Sequence, residues 1–210
     1  VIYPVVVDGT EHHSGVHSVK ITGGDACGPL MLNTSALSTL AGSDVYGRFY
    51  VYLPTTNPVT FDHTTLAAVG LTATLNTQTQ SSYLQLASEG AGNPTNVFMW
   101  QTTDGDILPD KNAAGGATSV YPAPSTWTCV EFHTSTAGAL ETWVNSTPVA
   151  GLTFIPGTTA ASSTNNQWTA SPFSPTSFGL GWIVFSGPMT SLWFDDVALS
   201  AHRIGCDCSE

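Results

Sequence analysis

Apolar and polar positions alternate along most of this chain, and the alternation has a period of two. The runs HSVKIT, DVYGRFYVYL, TLAAVGLTATL, SYLQLAS, NVFMWQT, TCVEFHT, LETWVN, FGLGWIVF and SLWFDDVAL follow one another, separated by Gly, Pro, Asn and Asp. Side chains of a strand point to alternate faces, so each run reads as a strand with one buried face. No long stretch carries a 3.6-residue apolar period, and no helix is predicted. Strands at such spacing predict an all-β sandwich, jelly roll or barrel. In DVYGRFYVYL, Val45, Gly47, Phe49 and Val51 alternate with Tyr46, Arg48, Tyr50 and Tyr52. The second set is wet and aromatic. It suits a sheet face on which sugars stack, and equally an ordinary surface strand with amphipathic tyrosines.

The same alternation divides LWFDDVAL. Trp193, Asp195, Val197 and Leu199 fall on one face, and Leu192, Phe194, Asp196 and Ala198 on the other. Each face is mostly apolar and carries one carboxylate, which needs a partner. Asp195 is expected to meet a calcium ion or the HSG turn of residues 13–15. Asp196 is expected to meet backbone donors or a basic residue such as Arg203.

Composition narrows the class. The 210 residues fit one all-β domain spanning 1–210. Only 9% are charged, where soluble domains usually carry about a quarter. Thr, Ser, Gly and Asn fill the polar positions, the habit of a secreted protein. The net charge of -11 argues against nucleic acid, which needs a basic footprint. A polyanionic ligand would need a local Lys or Arg, or a bridging metal. No apolar run reaches the ~18 residues of a membrane span, so no membrane partner is expected, and the chain is expected to act as a monomer. The opening VIYPVVVDGTEHHSG reads as a mature or truncated start. Cys27, Cys129, Cys206 and Cys208 lack the paired spacing of a zinc site. In a secreted chain they read as two disulfides, the alternative being buried thiols.

Candidate chemistry is sparse. HHSGVHSVKITGG is a Ser/Gly turn leading into a strand, and its Ser14, with turn carbonyls and Asp195, offers oxygens to calcium. His13 and His17 are four apart, which suits a helical zinc site but not this turn. His133, two residues after Glu131 in VEFHT, reads as a surface strand position. His63 follows Asp62 at the start of a long apolar strand. Tyr83 and Gln85 share one face of SYLQLAS. Tyr, His and Gln on adjacent strands suit β-elimination: the amide neutralises a uronate carboxylate, and His or Tyr takes the C5 proton. Asp104 and Asp106 read as turn chemistry rather than as a glycosidase pair. No G-x-S-x-G elbow is present.

These motifs together resemble the Cip1-like family, the cellulose-induced proteins of cellulolytic fungi and their bacterial homologues. HSGVHSVKITGG, DVYGRFYVYLP, DHTTL, DGDILPD, STWTCVEFH, LETWVN, FGLGW and LWFDDVALSAHRIGC carry the resemblance, in order, from His12 to Cys206. It implies a β-jelly roll of two packed antiparallel sheets, related to the glucuronan lyases, with a calcium site and an open cleft. Ser14 and Asp195 match calcium ligands of the family, while His17 stands where the family has Asn. His63 matches a cleft histidine. Tyr83 and Gln85 stand where the fungal relatives have His and Arg, and Phe185 where they have Tyr. The resemblance implies a Cys129–Cys206 disulfide; Cys27 matches a family cysteine, and Cys208 is left to pair with it.

The expectation is a secreted, carbohydrate-active protein. It binds polysaccharide through Tyr50, Tyr52, Trp100, Arg48 and Tyr83. If catalytic, it is a polyuronate lyase using His63, Tyr83 and Gln85. A structural or adhesive surface module is the third class, since jelly rolls host many functions.

Overall fold

The computed structural model describes residues 5–22, 30–34, 37, 40, 44–54, 64–75, 78–89, 97–102, 111–112, 122–149, 152–153, 173–183 and 191–207. Two antiparallel sheets form among them. The first runs, in spatial order, β1 (Val5–Asp8), β2 (Ser18–Thr22), β13 (Ser191–Ser200), β4 (Val45–Tyr52), β9 (Trp127–Thr134), β10 (Leu140–Val144) and β11 (Thr147–Pro148). The second runs β3 (Leu30–Thr34), β12 (Phe173–Ile183), β5 (Thr64–Leu75), β6 (Gln78–Glu89), β7 (Val97–Thr102) and β8 (Lys111–Asn112). They pack face to face as a β-jelly roll. Five of the eleven neighbouring pairs join strands far apart in sequence, and one of them sets β2, from early in the chain, beside β13, from late in it.

The period-two pattern sets which side is buried. Val45, Phe49 and Val51 of β4 enter the core, as do Val130 and Phe132 of β9 and Leu192 and Phe194 of β13. From the second sheet come Leu66, Ala67, Val69, Leu86, Phe98, Trp100, Phe178 and Leu180. Phe132 joins the two layers, with ring centroids 5.8 Å from Trp100 and 5.5 Å from Phe178. Burying one such ring contributes about 2 kcal/mol.

Gly47 interrupts the apolar face of β4 for a steric reason. It is the register partner of Phe132, and a Cβ at position 47 would lie 2.2 Å from Cζ of that ring. The ring is fully buried and wedged between two other aromatics, so it has little room to move. Gly47→Ala is expected to cost about 2 kcal/mol through overpacking, read as a lower urea midpoint. An unchanged midpoint would contradict this packing.

The strict alternation expected for LWFDDVAL breaks at a bulge. Asp195 pairs with Tyr50, but Ala198 pairs with Arg48, so three steps on β13 oppose two on β4. Asp196 takes up the extra residue with φ +46°. Before the bulge, Trp193 and Asp195 face outward; after it, Leu199 packs on the core. A bulge re-aims side chains in this way. Both carboxylates consequently reach the same turn instead of opposite faces.

Candidate functional site

The outer face of the first sheet is covered by two segments that clamp it. The turn at 13–15 sits over β13. Oδ2 of Asp195 accepts the backbone N–H of His13 at 2.7 Å and of Ser14 at 3.1 Å, and Oδ1 accepts its neighbour's N–H, from Asp196, at 2.8 Å. Asp196 accepts the Ser14 hydroxyl at 2.5 Å and pairs with Nδ1 of His13 at 2.6 Å. The His13 ring in turn stacks on Tyr50, with centroids 3.6 Å apart. Asp195 thus meets the turn, one of its two expected partners. Asp196 meets the turn as well, not Arg203.

This arrangement tests the expected calcium site at Ser14 and Asp195. Calcium asks for six to eight oxygens. Here each Asp195 oxygen already accepts an N–H, and an N–H dipole aimed at the site repels a cation. The Ser14 hydroxyl donates to Asp196 rather than turning a lone pair toward Asp195. Among the described residues, no group of three His, Cys, Asp or Glu could hold a metal. The residues as placed do not fit the ion.

The clamp is pH-sensitive through Asp196. Burial pushes its carboxyl up, but the bonds from Ser14 and His13, with the charges of His13 and Arg48, hold it below the usual range. A carboxyl depressed in the folded state stabilises above its unfolded pKa of about 3.9. That contribution is lost as pH falls through the lower folded value. Urea midpoints between pH 6 and pH 2 should fall more steeply for the wild type than for Asp196→Asn. Equal slopes would contradict the assignment.

The second clamp is the segment after β13. Cys206 is disulfide-bonded to Cys129, with Cα atoms 5.8 Å apart, the pairing that the resemblance implies; Cys27 and Cys208 lie outside the described residues. The Tyr50 hydroxyl donates to the Cys206 carbonyl. Arg48 donates to the carbonyls of Asp196 and Gly205, at 3.3 and 3.2 Å. Tyr52 packs edge-on against Trp193 and tilted against Trp127. Glu131 is fully buried beneath the segment, where Arg203 Nε and the backbone N–H groups of Ile204 and Gly205 satisfy its carboxylate. His133, expected at the surface, is buried instead. It stacks on Tyr46 with centroids 4.2 Å apart, and its Nδ1 lies 2.8 Å from Glu141.

The other sheet presents a different outer face. Leu86, Trp100 and Leu180 point into the core, so the residues alternating with them point away. One cross-strand row then reads Asn33 on β3, Gly179 on β12, Ala68 on β5, Gln85 on β6 and Gln101 on β7. The next row reads Ser177, Gly70 and Tyr83. Ser177 lies over the bare Gly70 backbone: a Cβ there would stand 2.2 Å from the Ser177 hydroxyl. The small residues make a low floor in the middle strands, with amide positions on strands to either side. Gln85 is buried, at 5% exposure.

These positions sort the expected site residues. Tyr83 and Gln85 share the outer face of β6, as their spacing predicts; Tyr83 is described by its backbone alone. Tyr83 stands opposite Gly70, six residues from Thr64 at the start of β5, or about 20 Å along the strand. His63 lies outside the described residues. Arg48, Tyr50 and Tyr52 lie on the outer face of the opposite sheet, with the whole core between them and Gln85. The expected single cleft therefore separates into two faces. Trp100 belongs to neither: it is fully buried in the core, its Nε1 donating to Thr142 Oγ1 at 2.8 Å, so it offers no ring to a sugar. Gly179 and Gln101 were legible but unread. In FGLGW the glycines alternate with core residues, and Gln101 follows the core Trp100.

The family model that matches this two-sheet sandwich is one of polysaccharide-lyase-like proteins. Within that class the chain belongs to the Cip1-like core-domain family, whose model matches residues 3–202. Among solved structures it is similar to the cellulose-induced protein Cip1, with a TM-score of 0.73 and 23% identity over 98% of this chain and 88% of that one. It is also similar to alginate lyase vAL-1 from Chlorella virus (TM-score 0.61, 10% identity, 93% and 88% covered). A third relative is the endo-β-1,4-glucuronan lyase from the fungus Trichoderma reesei (TM-score 0.54, 11% identity, 94% and 86% covered). At these identities the likeness is one of fold. No curated protein sequence matches. No helix among the described residues is long and apolar enough to cross a membrane.

Proposed function

We propose that this protein is a secreted, carbohydrate-active member of its family that binds polysaccharide on the outer face of the second sheet. The observation that carries the proposal is the row from Asn33 to Gln101, with Gly179 and Ala68 as its floor. A sugar chain lying across small residues approaches the backbone closely, and the amide residues of the row match its hydroxyls in kind. The fold likeness to two polysaccharide lyases and to Cip1 supports a carbohydrate-active role, and the disulfide fits an oxidising compartment.

A β-elimination reading rests on Tyr83 and Gln85 sharing this face: a phenol two residues from an amide supplies a base and a carboxylate neutraliser. Cleavage would create unsaturated ends that absorb near-ultraviolet light. Binding is the simpler function, because it asks for no base poised against a reacting carbon.

Affinity electrophoresis in gels containing single polysaccharides tests the proposal. The wild type should be retarded in at least one gel. Gln85→Ala should lose most of that retardation while keeping its unfolding free energy within about 2 kcal/mol of the wild type. No retardation across neutral and acidic polysaccharides would end the proposal.

A further inference from the structure

Resting on that reading, we infer that the bound glycan is an uncharged polysaccharide and that polyuronates are rejected by the chemistry of the face itself. The argument follows the cations. The whole chain has four Lys and Arg residues, and each has a place in the described strands or the segment after β13. Lys20, Arg48 and Arg203 lie on the outer face of the first sheet, where each is committed. Lys20 pairs with Asp8 at 3.3 Å and lies over Trp193. Arg48 is bonded to two carbonyls. Arg203 pairs with Glu131 and lies over Trp143. Lys111 sits on the edge strand β8 as register partner of Trp100, the residue that enters the core.

Among the described side chains, no Lys or Arg is therefore left for the amide row. The strands of the second sheet carry two charged residues in all, Lys111 and Glu89. Glu89 falls in phase with Tyr83 and Gln85 along β6, so the charged position of that alternation is an acid. A uronate entering this face would give up water for neutral amides and hydroxyls. Charge-assisted bonds, the strong way to hold a carboxylate, have no cationic donor here among the described side chains. A neutral sugar loses nothing by this, because its hydroxyls match amides and hydroxyls in kind.

The test compares hydroxyethyl cellulose and glucomannan, as neutral probes, with glucuronan and alginate. It is run in affinity gels at low salt and again at about 0.5 M salt, where the Debye length shrinks to roughly 4 Å and the repulsion of a net-negative protein is screened. The wild type should bind a neutral probe at least about tenfold tighter than either polyuronate at both salt levels, tenfold being the scale of one missing charge-assisted bond. Gln85→Arg or Gln101→Lys should narrow that gap by raising polyuronate affinity several-fold; two positions are used because Gln85 is buried. Polyuronate binding that matches neutral binding once salt is added would overturn the inference and leave the binding reading standing. So would two folded variants with no gain for polyuronate. Failure to bind any of the four probes would bring down the binding reading itself, and the inference with it.

Discussion

Replacing Cys129 and Cys206 together by serine is expected to lower stability by about 4 kcal/mol and the thermal midpoint by roughly 10 °C. The bond closes 77 residues of sequence, and the entropy removed from the unfolded chain grows with the logarithm of that length. Its place in the fold adds to the effect. It anchors the segment after β13, which covers Glu131, receives Arg48 at Gly205 and receives the Tyr50 hydroxyl at Cys206. Loosening the segment exposes all three contacts at once. The measurement is a urea titration of the wild type, the double variant and the reduced wild type. The reduced protein should be at least as destabilised as the variant. A loss below about 1 kcal/mol would show that the segment holds without its covalent link.

Glu131→Ala is expected to cost about 3 kcal/mol. The carboxylate is completely buried and accepts three bonds, at 2.9, 2.9 and 2.8 Å. Truncation leaves the N–H groups of Ile204 and Gly205 without an acceptor and opens a cavity beside Trp143. Arg203 is 44% exposed and can turn to water, so it contributes the smaller share. Glu131→Gln keeps an oxygen for the two N–H groups and should cost about half as much. Arg203→Ala should cost about 1 kcal/mol, through lost packing on Trp143 as much as lost charge. If Arg203→Ala proved as damaging as Glu131→Ala, the ion pair rather than the two backbone bonds would be holding the segment.

Period two carried the fold well. β4 shows why: Val45, Gly47, Phe49 and Val51 face the core, and the polar set faces out, just as the alternation requires. The same rule failed at Asp195 and Asp196, because a bulge is set by cross-strand register and leaves no mark in the local pattern. Trp100 was misplaced for a related reason. Alternation says that Trp100 and Gln101 face opposite ways, but not which face is inside, and a large amphipathic ring fits either environment. His133 and Glu131 look like surface positions in VEFHT. The burial of Glu131 comes from residues 201–206, which are remote in sequence and cross over it, and that of His133 comes with its stacking on Tyr46 and its pairing with Glu141. The candidate site was half legible. Tyr83 and Gln85 do share a face, but the opposition of that face to Arg48, Tyr50 and Tyr52 depends on which strands pair, as does the row that unites five strands.

The central claim is that polysaccharide lies on the outer face of the second sheet. Amide hydrogen exchange with and without a retarded polysaccharide tests it directly, because each face reports through its own strands. Protection should appear in β5, β6, β7 and β12, around Ala68, Gln85, Gln101 and Gly179, and Tyr52→Ala should leave it unchanged. Protection confined to β4, β9 and β13, around Tyr50, Trp127 and Trp193, would place the glycan on the opposite sheet and contradict the account.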